Sequence, residues 1–322
     1  MFMLLRLGVW AVMIITRIIP HAGMGNQMFM YAAGLAAASR LNTELLLDNG
    51  DFSTSTTQDR PYQLSCFPAI TERTASFYDE WNISPRMAAI NLISRRRIRR
   101  YHVFRRLMRK LASKLLPAGG MYQPKWCSYS ADFESVHDDT LLIGYWESEN
   151  IFAGIKDLVR RKFMFAPECF NPALTAQVRD CNSVAVHVRR GDKAEGSSAF
   201  YSTSEQYLKR AIGKISALTD NPRFFVFSDD IEWCRENLRK AYDADYTFIE
   251  GQTPPQDMAL MTQCKHVIMG PSTFSWWGAW LNDNPNRIII APDVNLWYRE
   301  GAFCYDPEDR KHLLPSDWIK IS

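Results

Sequence analysis

Residues 183–192 read SVAVHVRRGD. Val184, Ala185, Val186 and Val188 make a short β-branched run of the kind that forms a strand buried on both faces, and the run stops at Arg189, Arg190, Gly191 and Asp192. Such a strand delivers an imidazole (His187), two guanidiniums and a carboxylate to one edge of a sheet. Ligands of open α/β sheets sit outside the carboxyl ends of the strands. Paired guanidiniums at that edge suit a phosphate or pyrophosphate, which they can grip bidentately. Taken alone, the same residues fit a surface turn of Arg and Asp after a core strand equally well.

Outward from this strand the second half alternates. Thr203-Ser204-Glu205-Gln206 fits a capping box and opens a helix to about Ala217. Arg223 to Phe227 predicts a strand closed by Ser228, Asp229 and Asp230, followed by a short helix to Arg239. Tyr246–Ile249 reads as a strand, Asp257–Cys264 as a helix and His266–Met269 as a strand; Gly270-Pro271-Ser272-Thr273-Phe274-Ser275 then opens a Trp-rich helix to Leu281, and Arg287–Ile290 reads as the last strand. Strict alternation implies right-handed crossovers and a doubly wound parallel sheet. Three strand ends then share one edge, carrying His187, Arg189, Arg190 and Asp192, then Ser228, Asp229 and Asp230, then Ser272, Thr273 and Ser275. Hydroxyls and free amides at a helix start accept phosphate, and an acid can take paired N–H donors from a guanine edge or accept from a ribose hydroxyl. Each group also has a plain reading as a helix cap, and Trp276, Trp277 and Trp280 have the spacing of core residues.

The first half opens as a βαβ unit: an apolar strand Met13–Ile19, the turn Gly23-Met24-Gly25-Asn26-Gln27, a helix from Met28 to about Arg40, and a strand Glu44–Leu47 ending in Asp48. The glycines allow a tight turn and close approach of a ligand to a helix N-terminus. A dinucleotide fingerprint looks similar, but Met28 stands where its third glycine belongs, which weakens the reading of an NAD(P)-binding oxidoreductase. Leu141–Trp146 predicts another strand, with Glu147, Ser148 and Glu149 at its edge, and Asn150–Phe165 a helix. The crossing into the second half is expected between Pro167 and Cys181, giving an N-terminal α/β domain over 1–170 and a ligand-binding domain over 171–322.

A chain of 322 residues has ample core for two domains, and a net charge of +3 is too small to argue for nucleic acid. Seven scattered cysteines without ligand spacing read as reduced thiols, in keeping with a cytoplasmic protein. Arg6 and Arg17 interrupt the apolar start, so no spanning helix is expected; Met13 is the expected start, with 1–12 an extension. The segment Arg95–Lys114 holds ten Lys/Arg and no acid, interleaved with apolar residues. This reads as a basic amphipathic helix, suited either to an anionic membrane surface at the inner face of the cytoplasmic membrane or to solvent. Asp243-Ala244-Asp245 has the DxD spacing that would hold Mg²⁺ or Mn²⁺ on a diphosphate, but it lies in a polar turn. With arginines to offset the charge, no metal or other cofactor is expected.

The strings GMGNQMFMYAAG (23–34), IGYWESENIF (143–152), VAVHVRRGD (184–192), FFVFSDDIEWC (224–234) and STFSWWGAWL (272–281) occur in this order and together resemble the bacterial α-1,2-fucosyltransferases of glycosyltransferase family 11. The resemblance runs from about Met13 to Tyr298. It implies a GT-B-like pair of Rossmann-type domains, GDP-β-L-fucose as donor, and inverting transfer without metal to the 2-hydroxyl of a galactose-terminated oligosaccharide, in O-antigen or surface polysaccharide assembly. Under it His187, Arg189, Arg190 and Asp192 lie at the GDP, with Arg189 on the β-phosphate. Ser228, Asp229, Asp230, Ser272, Thr273, Ser275, Gly25, Asn26 and Gln27 are further donor-binding candidates, and Asp192 and Glu147 are the candidates for the base. Ala22 replaces the first glycine of the family's GGLGNQ turn, and Thr273 replaces a serine of its SSFSWW string. The basic segment adds the expectation of a lipid-linked acceptor; the rival readings are another nucleotide-sugar glycosyltransferase, a metal-dependent one, and a non-catalytic membrane-surface protein.

Overall fold

A computed structural model describes residues 12–50, 52, 60–95, 102–124, 129, 131–190, 201–299 and 310–322. Strands β1 (Met13–Arg17), β2 (Glu44–Asp48), β3 (Met121–Tyr122) and β4 (Thr140–Leu142) form one parallel sheet in the order β2-β1-β4-β3. Strands β5 (Ser183–Val188), β6 (Arg223–Ser228), β7 (Tyr246–Phe248), β8 (His266–Ile268), β9 (Ile289–Pro292) and β10 (Ile319–Ile321) form a second, in the order β10-β9-β8-β5-β6-β7. All the strand pairs are parallel. Read from β7, the second sheet has the 3-2-1-4-5-6 order of a doubly wound fold, and the order reverses between β5 and β8, where such sheets bind ligands. Two parallel α/β units make the GT-B-like architecture expected from the sequence.

Alternation of side chains fixes the faces of β5. Val184, Val186 and Val188 pack under α7 (Glu205–Ser216) and α8 (Ile231–Ala241), whereas Ala185 faces the other way, into the core that holds α9 (Pro254–Gln263) and α10 (Thr273–Leu281). His187 shares the Ala185 face, its ring 5.5 Å from that of Phe274. In the first sheet Ile14 and Leu47 face α1 (Met24–Leu41), and Ile15, Leu46 and Leu141 face the layer of α2 (Phe77–Ile83) and α3 (Pro85–Arg95). One core therefore runs through both halves. At its centre Phe29 of α1 lies 4.6 Å from Trp276 and 4.8 Å from Trp277 of α10, and Phe152 stacks on Trp277 at 5.6 Å. Each such aromatic pair adds about 0.5–1.5 kcal/mol beyond the area it buries.

Several elements differ from the sequence reading. Helix α1 starts at Met24 rather than Met28, so the expected turn is its first turn, with Gly23 as N-cap. Asn150–Phe165 is not one helix but a 3-10 turn, Glu149–Ile155, broken at Phe152 (φ −121°), followed by α5 (Lys156–Lys162). Of the basic segment, Arg95 is the last described residue of α3 and α4 spans His102–Leu115, while residues 96–101 lie outside the described residues. Strands β3 and β10 were not anticipated, and β10, not β9, ends the second sheet. The expected crossing at 167–181 holds a short turn and α6 (Pro172–Arg179). Among the described residues all five cysteines are free, and no helix is long and apolar enough to cross a membrane.

Candidate functional site: a cavity at the switch point

A cavity of about 460 Å³ opens at the carboxyl ends of β5, β6 and β8. Gly23, Met24, Gly25, Arg60 and Gln63 line it from the first half of the chain; His187, Arg189, Phe227, Ser228, Asp229, Asp257, Thr273 and Phe274 are among those lining it from the second. The N-terminal turns of α1, α9 and α10 all contribute. Helix α1 has no side-chain cap on its first amides, so its free N–H groups and dipole favour an anion; in α10 the Phe274 N–H is taken by Ser272, and α9 begins with Pro254 and Pro255, which carry no N–H.

Arg189 is fixed from several sides. Its N–H donates to Thr203 Oγ1 (2.9 Å), its carbonyl accepts from Thr203 N (2.9 Å), and its guanidinium donates to Ser272 Oγ (3.3 Å). Ser272 is the N-cap of α10 and accepts from Phe274 N. Gly270 has to be small here, since a Cβ on it would lie 2.8 Å from His187 O and 2.9 Å from Thr203 Oγ1. The guanidinium is thus anchored at a helix start, as a preorganised anion contact requires.

The two halves meet at the cavity floor. Thr273 Oγ1 donates to Asn26 Oδ1, and Trp277 Nε1 donates to Gly25 O (2.9 Å). A Cβ on Gly25 would fall 2.4 to 2.6 Å from the backbone of Thr273 and Phe274. Glycine is therefore demanded by a neighbouring helix rather than by a turn.

Most of the other residues singled out from sequence have their polar groups engaged. Gln27 is fully buried: its amide donates to Ala22 O and Pro61 O and accepts from Gln63 N, which clamps the Arg60 to Gln63 segment against α1. Ser275 is buried and donates to the carbonyls of Gly270 and Ser272. The Arg190 guanidinium lies 3.9 Å over the Trp233 ring and 3.5 Å from Asp230, which caps α8. Asp229 accepts from Arg190 N (2.8 Å) at the cavity wall. Glu147 is buried away from the lining and accepts from the Tyr298 hydroxyl (2.6 Å), which ties the end of β4 to the segment after β9. Asp192 lies outside the described residues. Asp245 of the DxD string pairs with Arg223 (3.0 Å) just before β7, at the sheet edge opposite the cavity.

Among the lining residues that the sequence reading missed, two are charged, Arg60 and Asp257. Arg60 follows a polar loop without periodic signal. Asp257 could have been flagged as an acid in the first turn of a helix entering from the β7 strand end. It is half-buried, and burial pushes its carboxyl up to about 7. A carboxyl whose value is higher folded than unfolded binds its proton more tightly when folded, so from about pH 4 to about 7 stability falls as pH rises. Asp257→Asn is expected to flatten that slope in the empty protein, as read by thermal melts across the window; an unchanged slope would show that another group sets it.

Residues 126–305 match the family described as Glycosyl transferase family 11. The chain is 33% identical over 309 residues to an alpha-1,2-colitosyltransferase of Escherichia coli, covering 93% of this chain and 96% of that one. It is 26% identical over 315 residues to an O-antigen biosynthesis glycosyltransferase of Escherichia coli, covering 93% and 98%. The human galactoside alpha-(1,2)-fucosyltransferase 1 is 33% identical over 216 residues, covering 60% of this chain and 56% of its own. Among solved structures, the fucosyltransferase NodZ from Bradyrhizobium superposes with a TM-score of 0.48 at 18% identity, covering 84% of this chain and 92% of its own.

Proposed function

This chain belongs to glycosyl transferase family 11 and is a glycosyltransferase; from that premise we propose that it transfers L-fucose from GDP-β-L-fucose, with inversion, to the 2-hydroxyl of a galactoside in surface polysaccharide assembly. The observation that carries this reading is the cavity itself, which is lined together by an anchored guanidinium, the starts of α1 and α10, and a half-buried acid in the first turn of α9. A nucleoside diphosphate needs both ends of that arrangement. Its phosphates take the Arg189 guanidinium and the amides of α1 and α10. Its base takes Asp257, whose carboxylate accepts the paired N1–H and 2-amino donors of guanine.

In an inverting transfer the acceptor oxygen attacks C1 from the face opposite the phosphate, and charge develops on the departing diphosphate. Arg189, held by Thr203 and Ser272, neutralises that charge without reorganising. The acceptor hydroxyl must also lose a proton. Glu147 is bonded to Tyr298 and does not line the cavity, so this role passes to Asp192 or to weak assistance in a loose, oxocarbenium-like transition state. Because the guanidinium supplies the positive charge, the reading includes no metal, and turnover is expected to be the same in EDTA.

Guanine binding requires the charged form of Asp257, so donor affinity is expected to rise with pH up to about 7 and then level off. Asp257→Asn, which loses a charge-assisted pair, is expected to raise the donor KM by about 10-fold to 100-fold with a smaller change in kcat. Equal affinity for GDP and UDP by titration calorimetry would count against the assignment of the base end. One observation favours a second donor sugar: the match to a colitosyltransferase spans 93% of the chain. Colitose lacks the 3-hydroxyl of fucose, and turnover of GDP-fucose against GDP-colitose with one acceptor separates the two.

A further inference from the structure

Charge is segregated along this chain far more than its net value suggests. Residues 81–131 hold twelve Lys/Arg and no acid, whereas the remainder holds twenty-six Lys/Arg against thirty-five acids. The structure puts the middle of this basic tract on α4 (His102–Leu115), which packs along α3 in the helical layer outside the first sheet. Arg106, Arg109, Lys110 and Lys114 are all exposed on it.

The apolar side chains of the same layer are exposed too. Leu107 is 53%, Leu111 38% and Leu115 72% exposed. Spaced four apart, they form a single stripe along a helix about 21 Å long. Arg106, Lys110 and Lys114 each precede one of these leucines, so a row of cations follows the stripe along one flank. Of the ten large apolar side chains exposed among the described residues, six belong to α2, α3 and α4: the three leucines with Tyr78, Trp81 and Leu92.

We propose that α4 lies on an anionic bilayer surface, its Leu107, Leu111 and Leu115 stripe entering the interface and its cations contacting lipid headgroups. A nucleic acid or an acidic protein surface would satisfy the charge but give no use to a row of exposed leucines. An anionic lipid interface satisfies both at once, because apolar area and electrostatic attraction add in binding to it. Trp and Tyr in the neighbouring α2 are the residue types that favour the same interface. This docking would hold the enzyme beside an acceptor carried on a lipid, but it does not depend on which sugar is transferred.

Flotation of the full chain with phosphatidylcholine vesicles, with and without phosphatidylglycerol, tests it. The wild type is expected to float with the anionic vesicles only, and less so in high salt. Each cation near such a surface is worth roughly fivefold in partitioning, so the triple reversal R106E/K110E/K114E is expected to lower it by about two orders of magnitude or more. The triple change L107S/L111S/L115S keeps every charge and is expected to lower partitioning as well, while turnover of a soluble acceptor stays unchanged in both variants. The salt series on the wild type requires no variant to fold. Flotation unaffected by the leucine changes, equal partitioning to neutral and anionic vesicles, or retention on DNA without flotation would each overturn the proposal.

Discussion

Arg189→Ala is expected to lower kcat by about a thousandfold or more while leaving the melting temperature within a few degrees of wild type. The size follows from what the guanidinium does: a single preorganised donor aimed at developing charge is worth about 10²–10³, and a cation on a departing phosphate about 10³–10⁵. The small effect on stability follows from how the residue is held. Both backbone bonds to Thr203 survive truncation, as do β5 and its pairing with β6 and β8, while the contact to Ser272 is lost. Arg189→Lys is expected to recover little, because a point charge lacks the planar fork that can hold Ser272 and a phosphate oxygen together. Steady-state kinetics beside thermal melts read both halves of this expectation. An alanine variant within tenfold of wild type would remove Arg189 from the reaction.

The second large effect is expected at Gly25, where Ala should damage both stability and turnover. A Cβ 2.4 Å from a backbone carbon of Thr273 has no flexible side chain to push aside. The first turn of α1 must then move from the first turn of α10, straining the Asn26 to Thr273 and Trp277 to Gly25 bonds. Overpacking of this kind costs about 1–3 kcal/mol, and displacing a site's walls by about 1 Å can cost 10²-fold in rate. Gly154→Ala is the control, since nothing lies within 4 Å of the Cβ it would add. Equal behaviour of the two variants in melts and kinetics would mean that the contact between the helix starts does not shape the cavity.

The contrast between Gly25 and Gln27 shows what a sequence can and cannot carry. The alternation of strands and helices around SVAVHVRRGD encodes the second sheet locally, because each strand announces itself by β-branched residues and each helix by its cap. The reason for Gly25 lies some 250 residues away, on α10, so the turn and the first turn of a helix could not be told apart from the string alone. Gln27 carries an amide that suits a ligand, yet three backbone partners consume it. Asp257 is the converse case. Its place in the first turn of a helix is legible, but the raised affinity of its carboxyl for a proton comes from burial beside the cavity, and burial is a property of the fold. Strands β3 and β10, of two and three residues, exist because β4 and β9 offer an unpaired edge. Such short segments have too little alternation to be read.

The measurement that bears most directly on the function is product analysis after incubating the protein with GDP-β-L-fucose and a β-galactoside in EDTA. The expected product carries fucose in α linkage on the galactose 2-hydroxyl, formed at a rate that Arg189→Ala abolishes. A β-linked product, hydrolysis of the donor without transfer, or activity that appears only when a divalent metal is restored would contradict it.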